Sequence, residues 1–292
     1  MIMTTETVAI LPIIKALAQS IIFASGTHNI SDTWYQQFLT TNNQQQTLLN
    51  RYAPAHKELS QFTPEELGAW ASKNHEELNT ILASKDFDIR LAPLDAGGFG
   101  VVSILDITTE WQHAGLPTTI VCPDNETTYN AVAMSKGYKV FSSANHEHPI
   151  AQLYTQSGDV IYLTKATEQL SGFELLNTIN NIKENLPETN DYYGKLIFPK
   201  ACVNHQPDVS WLEGLTFDIY NIDQAQQQTK FNLDETGAEV KSAVAIGFAE
   251  CSCGGNTLII DQPYIAWWER NGVSVPVVAA LIAQDSWQKI TI

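Results

Sequence analysis

The chain has 292 residues, enough to bury a sizeable core, and its 44% hydrophobic and 16% charged residues mark a globular protein and not a disordered one. Its 32 acidic residues against 16 basic ones give a net charge of −16, a surface that repels phosphate backbones and anionic lipid; nucleic acid and membranes are poor partners for it. The apolar run from Thr7 to Phe23 reads neither as an export signal nor as a span. Glu6 precedes it with no basic residue, and Pro12 and Lys15 interrupt it, so a cytoplasmic location is expected over a secreted one. Four cysteines (Cys122, Cys202, Cys251, Cys253) are too few for a disulfide framework in a chain of this length.

In chain order, the pattern predicts a helix over 12–25 starting at Pro12, and a second from Ser31, a candidate N-cap, to Leu39. The polar patch Thr41–Thr47 reads as a loop or a frayed helix end. Thr63-Pro64-Glu65-Glu66 combines an N-cap, a first-turn proline and first-turn acids. It predicts a helix with Leu67, Trp70, Ala71, His75, Leu78 and Ile81 along one side. Val101–Ile107 is a nearly continuous apolar strand, and from residue 118 strands dominate: Thr118–Cys122, Tyr138–Phe141, Ile150–Tyr154, Val160–Thr164 and Leu196–Val203. A helix is expected over Ser171–Leu186, and Ile265–Arg270 and Val273–Ala283 read as a hairpin around a type I′ Asn271-Gly272 turn. Helices first and strands after predict an α+β fold. With no internal repeat and no long linker, one domain over 1–292 and a monomer are expected.

The most informative stretch is 234–249. It opens on an acidic turn (Asp234, Glu235, Gly237) and then alternates: Ala238, Val240, Ser242, Val244, Ile246 and Phe248 form one face, and Glu239 and Lys241 begin the other. It runs into Cys251-Ser252-Cys253-Gly254-Gly255-Asn256, which reads as a loop. This is the sequence of a strand placed at the edge of a flexible segment. Beyond it comes the aromatic-rich Asp261-Gln262-Pro263-Tyr264-Ile265-Ala266-Trp267-Trp268.

These residues resemble the serpins. That family's hinge has two acids, a glycine and then small residues, and its chain resumes after the reactive loop with a strand opening at Asp-x-Pro-aromatic. Gly237 and Pro263 lie 26 residues apart, close to the span the family uses. Other segments resemble family landmarks in the same order: Thr7–Ile14 the strand-then-helix entry, and Pro64–Asn74 the helix crossing the front of the main sheet. Ser103–Trp111 resembles the central strand ending in tryptophan, and Met134–Tyr138 with the two strands after it resembles the series that follows. The departures are a short interval over 26–62, no helix between Leu215 and Gln224, Leu11 in place of a serine, Ser103 in place of an asparagine, and Gln227 in place of a histidine. The resemblance implies a shortened, miniature serpin. Helices would pack on a large mixed or antiparallel sheet with smaller sheets beside it, and a reactive loop would be exposed at about 238–257.

The resemblance further implies an inhibitor that acts as a decoy substrate for a serine or papain-like cysteine protease, with no metal and no cofactor. Counting from the hinge residues Glu235, Thr236, Gly237 and Ala238 sets the reactive bond at Cys251-Ser252, with Glu250 as the alternative contact. After cleavage Val240, Ser242, Val244, Ile246 and Phe248 would face the core as an inserted strand. Burying the four large ones contributes at most about 6–10 kcal/mol. Three other readings fit parts of the sequence. One is a serpin-fold binding protein whose loop is cut without trapping, favoured by the bulky Val240 and Lys241. Another is a metal site at His146-Glu147-His148, against which a solvated loop is expected, and the third is an unrelated enzyme pairing Cys202 or Cys251 with a histidine such as His205.

Overall fold

The structure, a computed structural model, describes residues 3–27, 30–124, 126–184, 186–189, 193–238 and 256–290. The N-terminal third holds strand β1 (Glu6–Val8), helix α1 (Ile10–Ser25), helix α2 (Asn43–Thr47), strand β2 (Leu67–Ser72), helix α3 (His75–Ser84) and strand β3 (Gly100–Leu105). Next come β4 (Thr109–Glu110), β5 (Leu116–Val121), β6 (Thr128–Met134), β7 (Tyr138–Ser143), β8 (His146–Tyr154), β9 (Val160–Lys165) and helix α4 (Gly172–Lys183). The last third is β10 (Tyr193–Pro199), β11 (Ala201–His205), β12 (Thr216–Phe217), β13 (Tyr220–Asn221), β14 (Thr229–Leu233), β15 (Gly237–Ala238), β16 (Asn256–Ile259), β17 (Tyr264–Glu269) and β18 (Val278–Ile282).

Three sheets carry the architecture. One has six strands in the order β1-β18-β17-β9-β8-β7, all antiparallel. Its centre is buried on both faces, which is why β18 reads Val-Ala-Ala-Leu-Ile with no alternation; Trp267 stacks on Tyr162 across the ladder at 4.7 Å. A second sheet runs β16-β10-β6-β5, and a third β11-β14-β15-β4, with β2-β3 as a separate ribbon. Helix α1 packs against that ribbon, burying Ile10, Leu11, Ile14, Leu17 and Ile21, and ends at Gly26 in the left-handed conformation. Helices packed on antiparallel sheets make the α+β class expected.

Several elements differ from expectation. Thr63 and Glu66 do form the reciprocal cap, Glu66 N to Thr63 Oγ1 at 3.3 Å and Thr63 N to Glu66 Oε2 at 2.9 Å, but it closes a single turn. The chain then enters β2, because Leu67–Ser72 finds a full antiparallel ladder along β3. The helix starts at His75, where Asn74 Oδ1 accepts from Glu76 N at 2.9 Å and Glu76 and Glu77 fill the first turn. Ser31–Leu39 holds only a short 3-10 turn at Trp34–Gln37, and Asn43–Thr47 is helical. The strand expected over Leu196–Val203 splits at Lys200, where the chain passes from the second sheet to the third. The hairpin β17–β18 closes through residues 270–277, longer than a two-residue turn, although Gly272 does have positive φ (79°). His146 and His148 sit on β8 and not in a solvated loop: His146 is bonded to Thr164 Oγ1 at 2.8 Å, and burial lowers its pKa. Cys202 and His205 are three apart on β11 and so point to opposite faces, which removes them as a nucleophile–base pair.

Candidate functional site

The site is the turn after β14 and the space it opens onto. Asp234 shapes the turn through its carboxylate: Oδ1 accepts from Thr236 N at 2.7 Å, Thr236 Oγ1 at 2.6 Å and Gly237 N at 3.1 Å. Three successive carbonyls are then bound by one neighbouring segment. Asp234 O accepts from Trp111 Nε1 at 2.8 Å, Glu235 O from Gly115 N at 2.7 Å, and Thr236 O from Trp111 N at 2.9 Å. The Glu235 carboxylate forms an ion pair with Lys200, at the junction where β10 gives way to β11. Neither partner of that pair stood out in the sequence as a pair, because they are 35 positions apart; Trp111 is fully buried and serves as the anchor.

Beyond the turn, Gly237 and Ala238 form β15 between two walls, with Gly237 opposite Glu110, Ala238 opposite Thr109, and Leu233 opposite Ala238, all antiparallel. The fit requires glycine. A Cβ on Gly237 would lie 2.1 Å from Thr109 O and 2.7 Å from Glu110 Cα, both backbone atoms that have no room to give. The expected hinge residues Glu235, Thr236, Gly237 and Ala238 are thus brought together here, already started into the sheet. Val240, Ser242, Val244, Ile246, Phe248, Glu250, Cys251 and Ser252 lie outside the described residues.

Below β15 the two walls separate. β3 and β14 belong to different sheets and share no ladder, and a cavity of about 830 Å³ lies between them. Its floor is α1 (Pro12, Ile13, Leu17), its walls are Val101–Ile107 and Gln227–Phe231, and its front is roofed by the connection from α3 to β3. Gln227 does not bridge the gap: its Nε2 donates to Ala9 O, just before α1, at 2.7 Å. Ser103 on the other wall bonds to its own neighbour, Gly68 O, at 3.1 Å. The result is a slot between the two walls in which, among the described residues, Gly237 and Ala238 at the top form the strand paired to both.

Solved structures share the overall fold. The chain superposes on a serpin from Schistosoma mansoni with a TM-score of 0.61 over 96% of this chain and 95% of that one, at 12% identity. The chain has the serpin fold. At 292 residues it fits a shortened serpin. Two further serpin-fold neighbours are the mouse protein-Z dependent protease inhibitor (TM-score 0.55, 94% of this chain, 90% of that one, 10% identity) and human thyroxine-binding globulin complexed with its ligand (TM-score 0.52, 93% and 97%, 10% identity). No family model and no curated protein matches the chain. The Pro64–Asn74 stretch, expected as a helix, is mostly β2, and the helix follows it as α3.

Proposed function

We propose that the protein is a protease inhibitor that works as a suicide substrate. A serine or papain-like cysteine protease cuts the segment between β15 and β16 near Cys251-Ser252, and the upstream piece then zips into the slot and carries the acylated protease with it. The observation that carries this reading is β15 itself, a strand start paired on both sides above a cavity between the two walls.

Continuing the register of β15 gives the insertion a defined chemistry. Val240 would come opposite Phe231 and Ile107, and Ser242 opposite Thr229 and Leu105. These partners face α1, so the even-numbered row would bury against the floor. On the front, Ala243, Ala245 and Gly247 are small, and Lys241 would fall between Asp106 and Lys230, one opposite charge and one like charge. The last pairing supports a second reading, a binding protein whose loop is cut without trapping, since Lys230 beside Lys241 slows the zipper early in its course. The serpin fold serves both kinds of protein, as the inhibitor and the thyroxine carrier above illustrate.

The test is incubation with a panel of serine and cysteine proteases. An SDS-resistant adduct, with the cut mapped by mass spectrometry to Cys251 or a neighbour, is the expected result. Clean cleavage by every protease with no adduct would leave the binding protein as the reading.

A further inference from the structure

Residues 85–99 connect α3 to β3 without regular secondary structure, and the way they are held is unusual. The segment leaves α3, which packs on β3 through Leu78, Leu82, Val102 and Ile104, reaches across the slot to the opposite wall, and returns to β3. Both of its ends are therefore anchored on one wall, and its tip touches the other.

The tip is clasped by side-chain amides. Gln228, buried just before β14, accepts from Asp88 N at 2.7 Å and Ile89 N at 3.3 Å through Oε1, while its Nε2 donates to Asp88 Oδ2 at 2.9 Å and Asn204 Oδ1 at 2.6 Å. Gln224 pairs reciprocally with Ala92, accepting from its N–H at 2.8 Å and donating to its carbonyl at 3.3 Å. Lys230 on β14 adds an ion pair to Asp86 at 2.9 Å. Asn79 makes a similar reciprocal pair with Leu91, at 2.8 and 2.9 Å, but from α3, on the near wall. Among the described residues, the side-chain hydrogen bonds and ion pair that tie the tip to the far wall come from the glutamines and Lys230, while at the β3 end of the segment Phe99 packs edge-on to Tyr220 at 5.0 Å.

We propose that Gln224 and Gln228 are a clasp whose opening sets the rate of strand insertion. This rests on the suicide-substrate reading above, and topology gives the reason. A strand entering the slot carries a whole protease on its free end, which is too large to thread beneath a closed loop. The strand must enter from the front, through the space the segment occupies, so the tip must first let go of the β14 wall. Because its two ends are anchored on the β3 side, release of the tip alone opens the slot and leaves the rest of the fold in place. The amide bonds can re-form over the inserted strand, so the clasp acts on the rate and not on the end state.

The experiment compares the full-length protein with Q224A/Q228A and with N79A. Each is cut by one protease, and the growth of the heat-resistant form is followed over time. Hydrogen exchange at Asp88, Ile89 and Ala92 is measured on the uncut proteins. The clasp predicts lost protection at those amides and insertion on the order of ten-fold faster in Q224A/Q228A, a factor equivalent to about 1.4 kcal/mol. N79A, which loosens the segment without touching the far wall, is predicted to insert at the parent rate. Insertion in the parent with an unchanged rate in Q224A/Q228A would overturn the clasp and leave the suicide-substrate reading standing, as would equal acceleration in N79A. A parent that gains no heat resistance on cleavage would overturn both.

Discussion

The six-stranded sheet and the divided sheet around β15 are built from the same kind of antiparallel strand, yet one is complete and the other is not. In the first, each of β18, β17, β9 and β8 is paired along both edges, and the Tyr162–Trp267 stack and the buried Tyr264 and Ile265 fill its faces. In the second, β14 has a partner along β11 on one edge and, among the described residues, only the β15 pairing at Leu233 on the other. A sheet edge over an apolar floor leaves backbone groups and side-chain surface that one more strand would satisfy. If the chain traps a protease as proposed, the first sheet is its permanent frame and the second its working part. Incompleteness at one site, inside an otherwise closed fold, is how a chain stores free energy for later release.

The comparison can be broken in several places. The largest effect is expected from Trp267→Ala in the complete sheet: about 3–5 kcal/mol lost in the uncut and the cut forms alike, read by chemical denaturation. A loss confined to one form would mean that the frame changes on cleavage. Next comes Val244→Asp. In the uncut protein it leaves the melting temperature where it was, whereas after cleavage it removes the added stability, because a carboxylate at that register would be buried without a partner. Retained stabilisation would show that residue 244 does not face the floor.

Separating Glu235 from Lys200 is smaller. Lys200→Ala should cost about 1–2 kcal/mol, between the values for exposed and fully buried pairs, since their side chains retain 15% and 27% exposure. The swapped pair K200E/E235K should recover part of it; no recovery would mean that the lysine acts through packing. The smallest effect concerns pH. The Arg270 guanidinium, bonded at 2.8 Å, holds the Glu66 carboxyl below its usual range. A depressed carboxylate stabilises the fold above its unfolded value and loses that contribution as pH falls through the folded one. The acid limb of stability should therefore be shallower in Glu66→Gln, and an identical limb would assign the acid sensitivity elsewhere.

Much of this was legible in the chain. The apolar runs give β17 and β18, and the acidic turn at Asp234 with the spacing from Gly237 to Pro263 carries the resemblance that the serpin fold bears out. Local signals failed where tertiary pairing outweighed them. The cap at Thr63 predicts a long helix because nothing in Leu67–Ser72 announces that β3, some 30 residues on, will pair with it. The clasp was equally hidden. Gln224, Gln228 and Asn79 are ordinary polar residues until the fold brings them beside Asp88–Ala92, and a glutamine on a strand approach carries no periodic signature. Lys200 appeared to be mid-strand for the same reason: the change of sheet there depends on neighbours far away in sequence.

The central claim is that the slot beneath β15 is meant to be filled, and thermal melting before and after cleavage between β15 and β16 tests it most directly. The account predicts that the cut protein melts well above the uncut one, as an inserted strand completes the divided sheet. Equal melting temperatures, with the cut confirmed by mass spectrometry, would contradict it.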